Sequence, residues 1–135
     1  SRYQDAKQLL QAGLVEDPRN QSMANAFARL LASAPDPRVR DGAKALAVAK
    51  PLFEATKSPE VGQTFAMAMA EAGDFEHAIK LQQETMIAYD RMGAPQAKPF
   101  LERNLALFRQ NKPTREPWSG DASVFHPRSP AAARP

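Results

Sequence analysis

The side chains able to do chemistry are few and scattered. The chain has two histidines and no cysteine. His77 follows Asp74 and Glu76, but a metal site needs several converging ligands, and these are not supplied by a second histidine close by. His77 is therefore expected on a solvated helix surface, and His126, in the C-terminal tail, is read the same way. Glu60 and Glu71 carry carboxylates that could act as an acid/base pair, yet a helix would hold them roughly 16 Å apart along its axis, beyond the reach of paired-carboxylate chemistry. There is no phosphate-cradling glycine loop, no nucleophile elbow and no HExxH. Disulfides, thiolate catalysis and cysteine-based metal sites are excluded outright. These residues point away from an enzyme: no catalytic residue, metal or cofactor is expected, and recognition by shape and polar contact is the remaining class of function.

The elements that must position such contacts are helical. Of the 135 residues, 43% are hydrophobic and only 7% aromatic, so Ala, Leu and Met carry the burial, which favours closely packed helices. Val, Ile and Thr are sparse and no stretch alternates with period two for long, so strand content should be near zero. The net charge of +3 comes from mixed rather than clustered charges, so no nucleic-acid surface is implied. Arg38, Arg40, Lys44 and Lys50 read as an exposed helix face. No run is long and apolar enough to span a bilayer. The chain opens on Ser1-Arg2-Tyr3 with no signal-peptide pattern, and it reads as a fragment of a longer protein. Its Ala-, Arg- and Pro-rich composition hints at a bacterial source; its compartment is left open.

Two amphipathic helices joined by Ala72-Gly73-Asp74 form the central unit, Pro59 to Met92. Ser58 is placed to cap the first of them with Pro59 in its first turn. Gly73 suits a left-handed helix end, and Asp74 caps the next helix. Val61, Phe65, Met69 and Ala72 stripe the first helix, with Ala66 and Ala70 on the same side. Phe75, Ala78, Ile79, Met86 and Tyr89 stripe the second. Upstream, a helix over Tyr3–Glu16 buries Tyr3, Ala6, Leu9, Leu10, Gly13 and Leu14, and stops at Asp17-Pro18. A second, capped by Asn20 or Ser22, runs to about Ser33 and buries Met23, Ala24, Phe27, Leu30 and Leu31. A third begins near Val39, with Ala43, Leu46, Ala47, Leu52 and Phe53 as its core side, and Pro51 should kink it or end it early. After Gly93 a last helix starts at or just beyond Pro95 and packs through Phe100, Leu101, Leu105 and Phe108.

This organisation resembles the tetratricopeptide repeat, a helix-turn-helix unit of about 34 residues. Gly73-Asp74-Phe75-Glu76-His77-Ala78 is similar to the family's turn, aromatic and close-contact alanine. Phe65, Ala66 and Met69 fall at its large, small and aromatic positions. Tyr3, Ala6, Leu10, Gly13 and Pro18 match the second helix of a repeat, and Phe27, Ala28 and Leu31 follow in register. The departures are Gly62 where the family often has Trp, Gln82 where it prefers an aromatic, and about five extra residues in the PDPRVRDG turn relative to the repeat length. The resemblance covers roughly residues 3 to 111. It implies an all-α fold: antiparallel helix-turn-helix repeats stacked as a short right-handed solenoid over residues 1–112, with first helices lining a concave groove. It places Ser22, Asn25, Arg29, Glu60, Gln63, Met67 and Glu71 on that groove, with Lys98, Glu102 or Arg103 added by the last helix. Arg29 with Asn25 resembles the polar pair with which some members hold a peptide carboxylate, although no Lys or Asn recurs at the matching place in the next repeat.

Residues 113–135 are rich in Pro, Ser, Ala and Arg and should not fold alone. Trp118, Val124 and Phe125 are their only large apolar groups, and so the anchors by which this tail would lie along its own body or enter a neighbour's groove. The expected function is protein–protein interaction: a partner peptide or domain held in a concave helical groove, without nucleic acid or membrane insertion. The alternatives are a capping or dimerisation domain, with self-association through the tail or the N-terminal helix, and a regulatory appendage of an enzyme whose catalytic part lies elsewhere.

Overall fold

The computed structural model describes residues 1–119. It is all-helical: α1 Arg2–Glu16, α2 Gln21–Ser33, α3 Gly42–Thr56, α4 Pro59–Glu71, α5 Phe75–Met92, a 3-10 turn Pro95–Ala97 and α6 Lys98–Arg109. Among the described residues there is no strand.

The starts of α1 to α5 are each set by a local cap, whereas α6 has no side-chain cap. Ser1 and Gln4 form a capping box on α1, and Asn20, Asp41, Ser58 and Asp74 accept from backbone N–H groups in the first turns of α2 to α5. Such caps satisfy donors that the helix itself leaves unpaired. The α4–α5 turn works as its residues require, with Gly73 at φ +89 and Asp74 accepting from the His77 N–H.

α2 packs on α1, α3 and α4, α4 on α2, α3 and α5, and α5 on α6. Small residues allow these close approaches. Ala28, Ala45, Ala49, Ala66, Ala68, Ala70 and Ala78 are all enclosed in one cluster with Phe27, Leu31, Met67, Leu81 and Phe108. A smaller cluster of Ala6, Leu30, Ala34 and Val39 forms where α1, α2 and the following loop meet. That loop is ordered by Arg40, whose Nη1 donates to the Ala34 and Pro35 carbonyls at 2.7 and 3.1 Å.

Four expectations are corrected. α3 starts at Gly42 rather than near Val39, because Val39 is buried in the loop and Asp41 provides the cap. Its fully buried residues are Ala45 and Ala49, with the expected Leu46 and Phe53 packed against the same cluster, while Ala43 and Ala47 face solvent. Of the two outcomes expected at Pro51, the early end does not occur: the helix continues to Thr56. The carbonyl that Pro51 leaves without a donor belongs to Ala47, and both residues are on the exposed side, where water can serve it. Finally, Leu9 is 69% exposed and Val15 83%, so the buried side of α1 is narrower than its apolar pattern.

Gly62 is a packing constraint. A Cβ there would stand 2.8 Å from the Thr85 hydroxyl oxygen and 3.2 Å from the Phe53 ring, so no side chain fits between α3 and α5, least of all an indole. Gly62→Ala gains about 1 kcal/mol in helix propensity but forces overpacking that costs about 1–3 kcal/mol. We predict net destabilisation, read as a lower urea midpoint with unchanged slope; a higher midpoint would mean that the neighbours yield freely.

Candidate functional site

The site begins with a buried cation. Arg29, on α2, is 2% exposed. Its Nε donates to the Thr64 hydroxyl at 2.8 Å and its Nη2 to the Glu60 carbonyl at 2.8 Å, so α2 is tied to α4. The Glu60 carboxylate lies 3.6 Å away, half-exposed. Burial pulls the Arg29 pKa below its ordinary value, and the charge of Glu60 works against that. The Trp118 ring sits 5.5 Å from the guanidinium carbon, a cation–π distance. Glu60 is also held by Tyr89, whose hydroxyl donates to Oε2 at 3.1 Å. Burial, then the Glu60 charge and this hydrogen bond, push the Tyr89 phenol up to about 12.

Beside these residues lies an amide cluster enclosed by α4, α5 and α6. Gln63 and Gln82 exchange hydrogen bonds of 2.7 and 3.0 Å, Gln82 also donates to the Leu101 carbonyl at 2.9 Å, and Asn104 donates to Gln63 at 3.1 Å. All three side chains are at most 2% exposed. The cluster fixes α6 beside α4 and so opens a cleft of about 450 Å³. Its lining includes Arg29 from α2, Glu60 and Gln63 from α4, Tyr89 from α5, Phe100 and Arg103 from α6, and Trp118 and Ser119. Arg103 lies 5.6 Å over the Phe100 ring.

Trp118 and Ser119 belong to the chain's own strap, residues 113–119, non-helical throughout. Asn111, at φ +58, turns the chain back after α6. Thr114 and Pro117 are then fully buried. Arg115 Nη1 reaches Glu71 Oε1 at 2.7 Å, and the other Glu71 oxygen lies 3.5 Å from Arg40. Glu116 accepts from Arg103 at 3.1 Å. Trp118 packs on the small cluster around Leu30 and Val39. The strap thus occupies one part of this face and the cleft lies beside it.

Of the expected groove residues, the structure brings Arg29, Glu60 and Gln63 together at the cleft. Glu71 lies under the strap. Ser22 is exposed in the first turn of α2, away from the cleft lining. Asn25 is buried, with its Oδ1 lacking a hydrogen-bond partner among the described residues. Met67, expected to face the groove, is corrected: it is wholly enclosed, because Phe108 of α6 packs into the same main cluster. Arg103 lines the cleft, whereas Lys98 and Glu102 do not. Trp118 is anchored on the α2 side of the cleft; Val124, Phe125 and His126 lie outside the described residues. Sequence reasoning assigned Tyr89 and Phe100 to the core alone. The available signal was the polar Gln82 on an otherwise apolar seam.

Among the described residues no cluster of His, Cys, Asp or Glu could hold a metal ion, and no helix is long and apolar enough to cross a membrane. Comparison with known proteins finds no matching family model, curated protein or solved structure. What the cleft offers is aromatic surface with polar edges, and each of its charges is already opposed.

Two predictions test this geometry. The folded chain holds Tyr89 neutral, so its contribution to stability is full below the ordinary phenol value of 10.0 and is lost as pH rises towards about 12. The difference in absorbance titration at 295 nm between the native chain and Tyr89→Phe should show this late transition, and Glu60→Gln should move it down; a Tyr89 transition near 10 would contradict the contact. Gln82→Leu leaves the Gln63 amide and Leu101 carbonyl buried without this partner, at about 1–3 kcal/mol per group. A loss of at least about 2 kcal/mol in denaturant unfolding is expected; a neutral result would dismiss the cluster as a constraint.

Proposed function

We propose that this chain is a protein–protein interaction module that holds an extended partner segment on the face formed by α2, α4 and α6, within a short right-handed stack of tetratricopeptide-like helix pairs. The observation that carries the reading is that this face already seats a non-helical segment, 113–119, beside an open cleft of about 450 Å³. Supporting the stack is the packing order: α2 touches both α3 and α4, and α4 both α3 and α5, as alternating layers require. Supporting the peptide role is the cleft's chemistry. Tyr89, Phe100 and Trp118 supply rigid contact area at little entropic cost, and the pairs around Glu60 and Arg103 orient a ligand more than they hold it.

A second reading, self-association through α1, draws on the exposure of Leu9 and Val15. It expects mass in solution to rise with concentration and to revert with Leu9→Lys.

The test of the first reading is panning of a random linear-peptide library on the immobilised full chain. Binders should be enriched, lose affinity at least tenfold with Phe100→Ala or Arg103→Glu, and keep it with Lys50→Glu on α3. No enrichment, or binders indifferent to the cleft substitutions, would refute the reading.

A further inference from the structure

The strap has the features of a bound ligand rather than of a passive tail. Its charges alternate against the face beneath: Arg115 on Glu71, then Glu116 on Arg103. Between them and Trp118, Pro117 is buried outright, and Trp118 lies over Arg29. Four successive side chains therefore meet four distinct surroundings, which is how an extended peptide is read in register. The fit has one flaw. Thr114 is 1% exposed, and its hydroxyl has no hydrogen-bond partner among the described residues. A buried hydroxyl without a partner disfavours docking, and an isosteric apolar side chain would remove that penalty.

Resting on the interaction reading above, we propose that the strap is an internal stand-in for the natural ligand, and that the partner is an extended peptide carrying a basic, an acidic, a proline and an aromatic residue in succession, preceded by a β-branched apolar residue. This partner binds by displacing residues 114–118. The flaw at Thr114 keeps the internal segment the weaker competitor, so the face is closed at rest and opens to a better-matched chain.

The experiment uses full chains and fluorescently labelled synthetic peptides, read by anisotropy. The probe is the seven-residue peptide of residues 113–119, with versions carrying Thr114→Val or Arg115→Glu. The receptors are the native chain, Trp118→Ala and Arg115→Glu, the last setting two carboxylates against each other at Glu71. Helical circular dichroism confirms folding of each. The peptide should bind both strap-weakened receptors at least tenfold more tightly than the native chain. The Val version should bind severalfold more tightly than the Thr version, and the Glu version at least tenfold more weakly. Equal affinity for native and weakened receptors, or no binding to any folded receptor, overturns the proposal. So does a concentration-dependent dimer of the native chain that the peptide dissociates, which would make a second copy the occupant. Library binders that depend on Phe100 and Arg103 but lack this pattern would overturn this proposal while leaving the interaction reading intact; failure to find any cleft-dependent binder sinks both.

Discussion

Three buried amides set the geometry on which everything else rests. Gln63, Gln82 and Asn104 come from α4, α5 and α6 and are closed off from water. In such a low-dielectric place a hydrogen bond is strong, and a missing one costs about 1–3 kcal/mol. Apolar seams can slide and still be buried. This cluster cannot, because a shift of α6 by even part of a turn would break the bonds to Gln63 and to the Leu101 carbonyl together. The setting of α6 is thereby fixed, and with it the places of Phe100 and Arg103 in the cleft lining and the point at which Asn111 turns the chain back.

The returning segment then closes part of the same face. Its half-exposed ion pairs are each worth about 0–1 kcal/mol, so they do not carry the docking. The enclosed Pro117 and the indole of Trp118 on its apolar cluster do, through apolar area removed from water. The charges choose the register instead, since a shift by one residue would set Glu116 on Glu71. Arg29 joins the two halves of the arrangement. It is pinned by Thr64 and Glu60 below and covered by Trp118 above, so α2, α4 and the strap share one guanidinium.

Much of this was legible in the sequence wherever the cause is local. Ser58-Pro59, Gly73-Asp74 and Asn20 marked helix ends because capping acts within three residues. Ala66 and Ala78 fall on the apolar stripes of their helices, and both are enclosed in the same cluster. Long-range causes were not legible. Gln82 looked like a flaw in an apolar seam until its partners from two other helices were in place. Met67 reads as open surface because a single helix pair does not reveal that Phe108 of α6 will enclose it. Ala43 and Ala47 carry the same sequence signal as Ala45 and Ala49, because α3 is rich in alanine on every side and its pattern leaves the buried face undetermined. The strap carried only one readable sign, a lone tryptophan in an otherwise small and polar segment.

The most direct test of this arrangement is a nuclear Overhauser experiment on the isotopically labelled full chain, reading contacts from the Trp118 indole, the only indole present. The structure requires cross-peaks from its ring protons to the Arg29 side chain and to methyl groups of the cluster around Leu30 and Val39. An indole without cross-peaks to α2, with the shifts of a free tryptophan peptide, would contradict the claim that this helical face seats an extended chain.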